Sequence, residues 1–187
     1  IDKLRSLSSI RDFDLRVLVV DQRDFADLAI TRHTVTMYFR YALPRLLPQE
    51  SKVAYFDSDI VVRHSVSELF SYGLSDSPFG ACLDAMSILG SAEQVRHLWT
   101  NGNAYFNSGV LLMNLEYMRS HEVEAAMLEW IHEHSSDDLR FPDQDALNAL
   151  FADRIMELPL EWNVQASIAK RPYLLETEPR VIHFTTA

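Results

Sequence analysis

Short apolar, β-branched runs alternate along this chain with stretches of helical periodicity. That alternation constrains the fold more than any other feature. The runs are Leu15 to Val20, Lys52 to Phe56, Ile60 to Val62, Phe79 to Leu83, Tyr105 to Leu115 and Arg180 to Phe184. Between them, Thr34 to Leu47 repeats Val35, Tyr38, Phe39, Ala42 and Leu46 at helical spacing, with Pro44 set to kink the helix or start a new turn. Glu116 to His134 places Val123, Met127, Trp130 and Ile131 on one face of a long helix, and Asp143 to Ala152 turns Leu147, Leu150 and Phe151 inward. Strands interleaved with helices pack as an α/β domain with a largely parallel sheet. With 187 residues, 5 glycines, no linker-like stretch and no internal repeat, residues 1–187 read as a single domain.

Charge excludes some functions. Asp plus Glu outnumber Lys plus Arg 27 to 17, for a net charge of −10. A partner that neutralises nucleic-acid phosphates is therefore not expected. The longest apolar runs fall far short of the roughly 20 residues of a membrane span, and the mixed, charged opening does not read as a signal peptide. Cys82 is the single cysteine, so neither an intrachain disulfide nor a cysteine zinc cluster can form, which fits a reducing compartment.

Four segments carry chemistry. The run Lys52 to Phe56 ends in Asp57-Ser58-Asp59. Acids two apart on an extended segment point the same way and repel unless a cation lies between them, and strand carboxyl ends are where α/β folds bind ligands. A solvated turn is the alternative. Asn107-Ser108-Gly109 interrupts an apolar run; alone it reads as a turn into a core strand, although glycine there also suits a bulge or a close ligand. In Pro142-Asp143-Gln144-Asp145, Asp143 reads as a helix N-cap unless it overlooks a cleft. His183, flanked by Ile182 and Phe184, reads as a core histidine unless it meets the acid pair, and Arg40, set among apolar residues, calls for an anionic partner, carboxylate or phosphate.

In this order the segments resemble glycosyltransferase family 8, the retaining, metal-dependent, nucleotide-sugar enzymes. The matching stretches are Thr36 to Arg40, Lys52 to Val62, Tyr105 to Leu115, Asp143 to Asn148, Leu158 through Trp162-Asn163-Val164-Gln165, and Ile182 to Phe184. The resemblance implies a GT-A fold with a mixed, mainly parallel sheet flanked by helices. It implies that Asp57, Asp59 and His183 hold Mn²⁺, with Mg²⁺ as the alternative ion, and that Arg40 lies near the donor nucleotide. It places Asn107, Asp143 and Gln144 around the donor sugar, Gln144 and Asp143 as the catalytic pair, with Ser58 and Ser108 adding contacts to the substrate.

The implied reaction moves a hexose from a UDP-sugar to a carbohydrate or glycolipid acceptor of the lipopolysaccharide type. It takes place in the cytoplasm, at the inner face of a membrane where the acceptor demands it. Two departures stand out: nothing upstream of Leu15 matches the family's base-binding first strand, and no Lys-Pro-Trp segment follows His183. The expected fold is thus incomplete at both ends. A phosphohydrolase of the HAD type also ends a strand in Asp-x-Asp, but it needs a downstream Lys and an acidic pair closing a strand. Here only Lys170 and Asp137-Asp138 are on offer. A non-catalytic, transferase-like fragment is the other alternative.

Overall fold

A computed structural model describes residues 2–25, 28, 34–91, 104–134 and 139–185. Its described strands are β1 (Lys52–Phe56), β2 (Ile60–Val62), β3 (Phe79–Leu83), β4 (Phe106–Asn114), β5 (Met156–Glu157), β6 (Val164–Gln165) and β7 (Val181–His183). The described helices are α1 (Asp2–Ser6), α2 (Leu43–Leu46), α3 (Ala85–Ile88), α4 (Leu115–Ser120), α5 (Val123–Glu133), α6 (Pro142–Phe151) and α7 (Ala166–Ala169). One sheet runs β1-β4-β3-β5 and a smaller one runs β2-β7-β6.

The α/β class holds, and both sheets are mixed. The parallel share is smaller than expected: β3–β5 and β6–β7 are parallel, whereas β1–β4, β3–β4 and β2–β7 are antiparallel. Hydrophobic runs do not encode strand direction. Strands buried on both faces read as continuous apolar runs whichever way their neighbours point.

β4 is the centre of the molecule. Leu111 and Met113 face one core cluster with Phe79, Met118, Met127, Ile131 and Leu147, while Val110 and Leu112 face a second with Cys82, Leu158 and Trp162. Alternation serves both layers at once, so Val110 to Met113 is apolar without a break. Against β3 the register slips. Ala81 pairs with Leu111 and Leu83 with Phe106, so β4 advances five residues while β3 advances two. The odd excess of three returns Phe106 to the face of Leu111 and Met113. Asn107-Ser108-Gly109 is that excess. It is not a turn before the strand but an irregular part of it.

Three other expectations are corrected. Leu15 to Val20 is not a strand: it has no regular structure, pairs with no described strand, and leaves Val17, Leu18 and Val19 exposed. Apolar composition does not make a strand without a ladder partner. The long helix from Glu116 breaks into α4 and α5 at His121–Glu122, where Glu122 adopts φ 50°. α4 packs on α2 and β1 whereas α5 packs on α6, a change of direction that a straight helix cannot make. The expected helix from Thr34 is a 3₁₀ run, Val35–Ala42, followed by α2 with Pro44 in its first turn. Its three-residue repeat stacks Val35, Tyr38 and Tyr41 inward.

Candidate active site

Backbone ladders bring the chemistry-bearing residues together. Asp57 follows β1, and its N–H donates to Gly109 O at 2.8 Å, which ties the acid to the irregular stretch of β4. Asp59 precedes β2, whose first residue, Ile60, lies opposite His183 of β7. The β2–β7 pairing therefore places an imidazole from the end of the chain beside an acid pair from its first third. His183 Nε2 lies 3.3 Å from Asp59 Oδ1 and 3.9 Å from Asp57 Oδ2, and the ligand atoms of all three residues fall within 4.8 Å of one another.

Asp57 is pre-oriented. Its Oδ1 accepts from Tyr55 Oη at 2.7 Å and from Arg40 Nη2 at 2.9 Å, leaving Oδ2 toward His183. Burial pushes the Asp57 carboxyl above its ordinary range, with Arg40 and Tyr55 opposing that shift. Arg40, 5% exposed, also donates to Ser108 O at 2.6 Å and Met37 O at 3.0 Å, and sits 3.3 Å from Asp143 Oδ2. Burial disfavours its charge, but Asp143, Tyr55 and Asp57 outweigh that and raise its pKa. The anionic partner demanded of Arg40 is thus a pair of carboxylates, which it clamps together.

The opposite wall comes from α6. Its N-cap is Phe141, with Pro142 first in the helix, so Asp143 is a residue of the first turn and not the cap. Asp143 Oδ2 accepts from Ser108 Oγ at 3.0 Å. Gln144 Oε1 accepts from Ser108 N and Asn107 Nδ2, both at 3.0 Å, and Gln144 Nε2 donates to Asp84 Oδ2 at 3.2 Å. Asp145 turns away from this wall. It is fully buried, accepts from Tyr105 Oη and Phe141 N–H, and burial pushes its carboxyl up to about 6.

These groups line a cavity of about 810 Å³ that Asp57, Ser58, Asp59, Asn107, Ser108, Asp143, Gln144, Arg40 and His183 all reach. Ser58 sits exposed at its rim, while Asn107, Ser108 and Gln144 are buried in its floor. The donor set suits a divalent ion: two carboxylate oxygens with free lone pairs and one imidazole nitrogen, a mixture that favours a transition metal over Ca²⁺. Arg40 is spent on Asp57 and Asp143, so among the described residues Asp59 has the imidazole alone as an ion-pair partner.

Sequence reading gave no role to Tyr55, Asp84, Asn163 and Gln165. Asp84 closes β3 as Asp57 closes β1, a signal that was available. It caps α3 through Met86 N–H at 2.8 Å and holds Asn107 and Gln144. Gln165 accepts from Ala85 N–H at 3.3 Å, while its Nε2 is buried with no partner among the described residues. Asn163 bridges Asn107 and His183. Nothing in the spacing of these last two reveals their contacts, which depend on β6 lying parallel to β7.

The sequence matches the description Glycosyl transferase family 8 over residues 1–187. It is 30% identical over 187 residues to general stress protein A of Bacillus subtilis (strain 168), a match covering 91% of this chain and 64% of that protein. It is 25% identical over 159 residues to the lipopolysaccharide glucosyltransferase WaaO of Escherichia coli (strain K12), covering 82% of this chain and 47% of that protein. Among solved structures, the galactosyltransferase LgtC in complex with donor and acceptor sugar analogues aligns with a TM-score of 0.79 at 27% identity, over 91% of this chain and 66% of that one. The chain thus spans less than two thirds of the length of each of these relatives.

Proposed function

This chain belongs to glycosyltransferase family 8 and has a GT-A-type fold, and from that premise we propose that it transfers a hexose from a UDP-sugar, with retention, to a glycan or lipopolysaccharide-type acceptor. The observation that carries this reading is the convergence of Asp57, Asp59 and His183 at a cavity whose far wall is Asn107, Ser108, Asp143 and Gln144. Relatives named as a lipopolysaccharide glucosyltransferase and a galactosyltransferase support the reaction class and the kind of acceptor. That none of the described helices is long and apolar enough to cross a membrane is compatible with work at a membrane surface on the cytoplasmic side.

In this reading Asp57, Asp59 and His183 hold a divalent ion, Mn²⁺ or Mg²⁺, which when bound supplies Lewis acidity for the departing diphosphate. The protein's own contribution is placement. Tyr55 and Arg40 hold Asp57 so that one carboxylate oxygen faces the gap. Arg40 and Ser108 hold Asp143 at the cavity wall. Gln144 is ill suited to covalent attack. An amide oxygen is a weak nucleophile, and this one already accepts hydrogen bonds from Asn107 Nδ2, Ser108 N–H and Ser108 Oγ. Attack by the acceptor on the face the diphosphate leaves, with Asp143 and Gln144 orienting the sugar and stabilising its developing positive charge, fits that chemistry better than a glycosyl–enzyme intermediate.

The test is release of UDP from UDP-glucose and UDP-galactose in Mn²⁺, using the gene's full-length product. Asp57→Asn combined with Asp59→Asn is expected to abolish it, and unchanged turnover would remove the cation-site assignment. A trapped glycosyl adduct on Asp143 or Gln144 would overturn same-face attack. The phosphohydrolase alternative has no support in the family match, and its Asp137-Asp138 pair lies outside the described residues.

A further inference from the structure

We propose that Asn163 is a positioning residue that sets the tautomer of His183, and that the backbone N–H of Gly109 dictates this choice through Asn107. The consequence for metal binding rests on the cation-site reading above. The tautomer itself does not, because it is defined by protein groups alone.

The argument starts from an atom that can only donate. Gly109 N–H lies 2.9 Å from Asn107 Oδ1, so that amide atom must be the oxygen. Asn107 Nδ2 then points the other way, where it meets Asp84 Oδ2 at 2.9 Å and Gln144 Oε1 at 3.0 Å. Gln144 Oε1 is itself identified as oxygen by a second backbone donor, Ser108 N–H, at 3.0 Å. The orientation of Asn107 is thus constrained from both ends.

The next link follows. The atom of Asn163 that lies 2.7 Å from Asn107 Oδ1 must donate and is therefore Nδ2. Asn163 Oδ1 then faces His183 Nδ1 at 3.0 Å, and an amide oxygen only accepts. The proton of a neutral imidazole is consequently on Nδ1, and its lone pair is on Nε2, the nitrogen that faces Asp59 and Asp57. The opposite tautomer would bring two acceptors together at 3.0 Å in a buried site, whereas on the other side of the ring Nε2 stands farther from its carboxylate oxygens, at 3.3 Å and 3.9 Å. Asn163 is fully buried, and Asn107 and His183 are 6% and 4% exposed, which leaves little room for water to substitute for a lost partner.

Gly109 contributes a second constraint. A Cβ at this position would lie 2.7 Å from His183 Nδ1 and closer still to Cε1. The ring is therefore packed directly against the strand backbone that starts the relay, and only glycine permits that approach. A ligand's outer hydrogen-bond partner typically changes metal affinity 10–100-fold when removed.

The experiment uses the ¹⁵N-labelled chain without added metal, at a pH where the ring is neutral. Long-range ¹H–¹⁵N correlation reads both ring nitrogens, and the signals are assigned by their loss in His183→Gln. The expected result is a protonated Nδ1 in the wild type and a mixture of tautomers in Asn163→Leu. Mn²⁺ affinity, read from the EPR signal of the free ion, is expected to fall about 10–100-fold in Asn163→Leu. Asn163→Asp keeps an acceptor for Nδ1–H, so it is expected to retain the wild-type tautomer, but it loses the donor to Asn107 Oδ1 and is expected to be less stable. A wild-type ring protonated on Nε2 overturns the proposal, as does a folded Asn163→Leu with unchanged tautomer and affinity. If Asn163→Leu does not fold, the wild-type spectrum decides alone. If the wild type takes up no Mn²⁺, the cation-site reading fails while the ring nitrogens still judge the relay.

Discussion

Arg40→Met removes a buried cation of similar length and leaves two carboxylates without it. The guanidinium lies 2.9 Å from Asp57 and 3.3 Å from Asp143. At an effective dielectric near 20 each attraction is worth roughly 5 kcal/mol, and the cost of desolvating the ions offsets much of the sum. Breaking a buried pair from one side typically costs about 3–5 kcal/mol. In a domain of this size that lowers Tm by roughly 6–20 °C. Met37 O and Ser108 O also lose their donor, which adds to the loss.

The assay is urea and thermal unfolding at pH 7 without ligand. Acidification should narrow the gap between variant and wild type, because Asp57, whose carboxyl burial already pushes up, no longer needs the cation once protonated. Asp143→Asn introduced into Arg40→Met should recover part of the loss. A ligand-free destabilisation below about 1 kcal/mol, the size of a surface ion pair, would refute the clamp and leave Arg40 with a role toward ligand alone.

Three further outcomes are expected. Gly109→Ala forces a methyl into the His183 ring, so Mn²⁺ affinity should drop at least about tenfold with a stability loss of about 1–3 kcal/mol; wild-type Mn²⁺ titration of this variant would disprove the close approach. Asp145, raised from 3.8 to about 6 by burial, contributes stability that is complete below its unfolded value and is lost as pH rises through its folded one. Between about pH 4 and pH 6 the unfolding free energy should therefore fall by about 2 kcal/mol on its account, and chemical denaturation of Asp145→Asn should show that segment flattened. Cys82 is fully buried, burial pushes its thiol pKa up, and its Sγ lies 3.2 Å from Pro159 O. A disulfide thiol reagent should leave it unmodified in the native protein and label it in urea; rapid native labelling would contradict its burial.

Much of the site could be read before any coordinates. β1 and β3 have the expected bounds because both are short apolar runs closed by an acid. The acid pair, Asn107 and His183 stood out as polar residues within or at the end of an apolar stretch, where a buried polar group needs a partner, whereas Asp143 and Gln144 read as the first turn of a helix and gained a site role only through the family resemblance. Residues whose work is done entirely by contacts between segments did not stand out. Asn163 follows Trp162 in what reads as a loop, and Tyr55 reads as one more aromatic in a strand; only their neighbours give them roles.

The sequence alone determined most of the buried apolar runs and which side chains have the chemistry to hold a cation, because burial preference and ligand chemistry belong to the residues themselves. Ladder direction, the three-residue slip that sets Asn107, Ser108 and Gly109 apart, the break between α4 and α5 and the failure of Leu15 to Val20 to form a strand were decided by tertiary structure. Each depends on what lies alongside, through hydrogen bonds and packing between residues far apart in the chain. His183 shows both halves at once: its type made it able to bind a cation or to sit in a core, and the pairing of β2 with β7 put it beside Asp59.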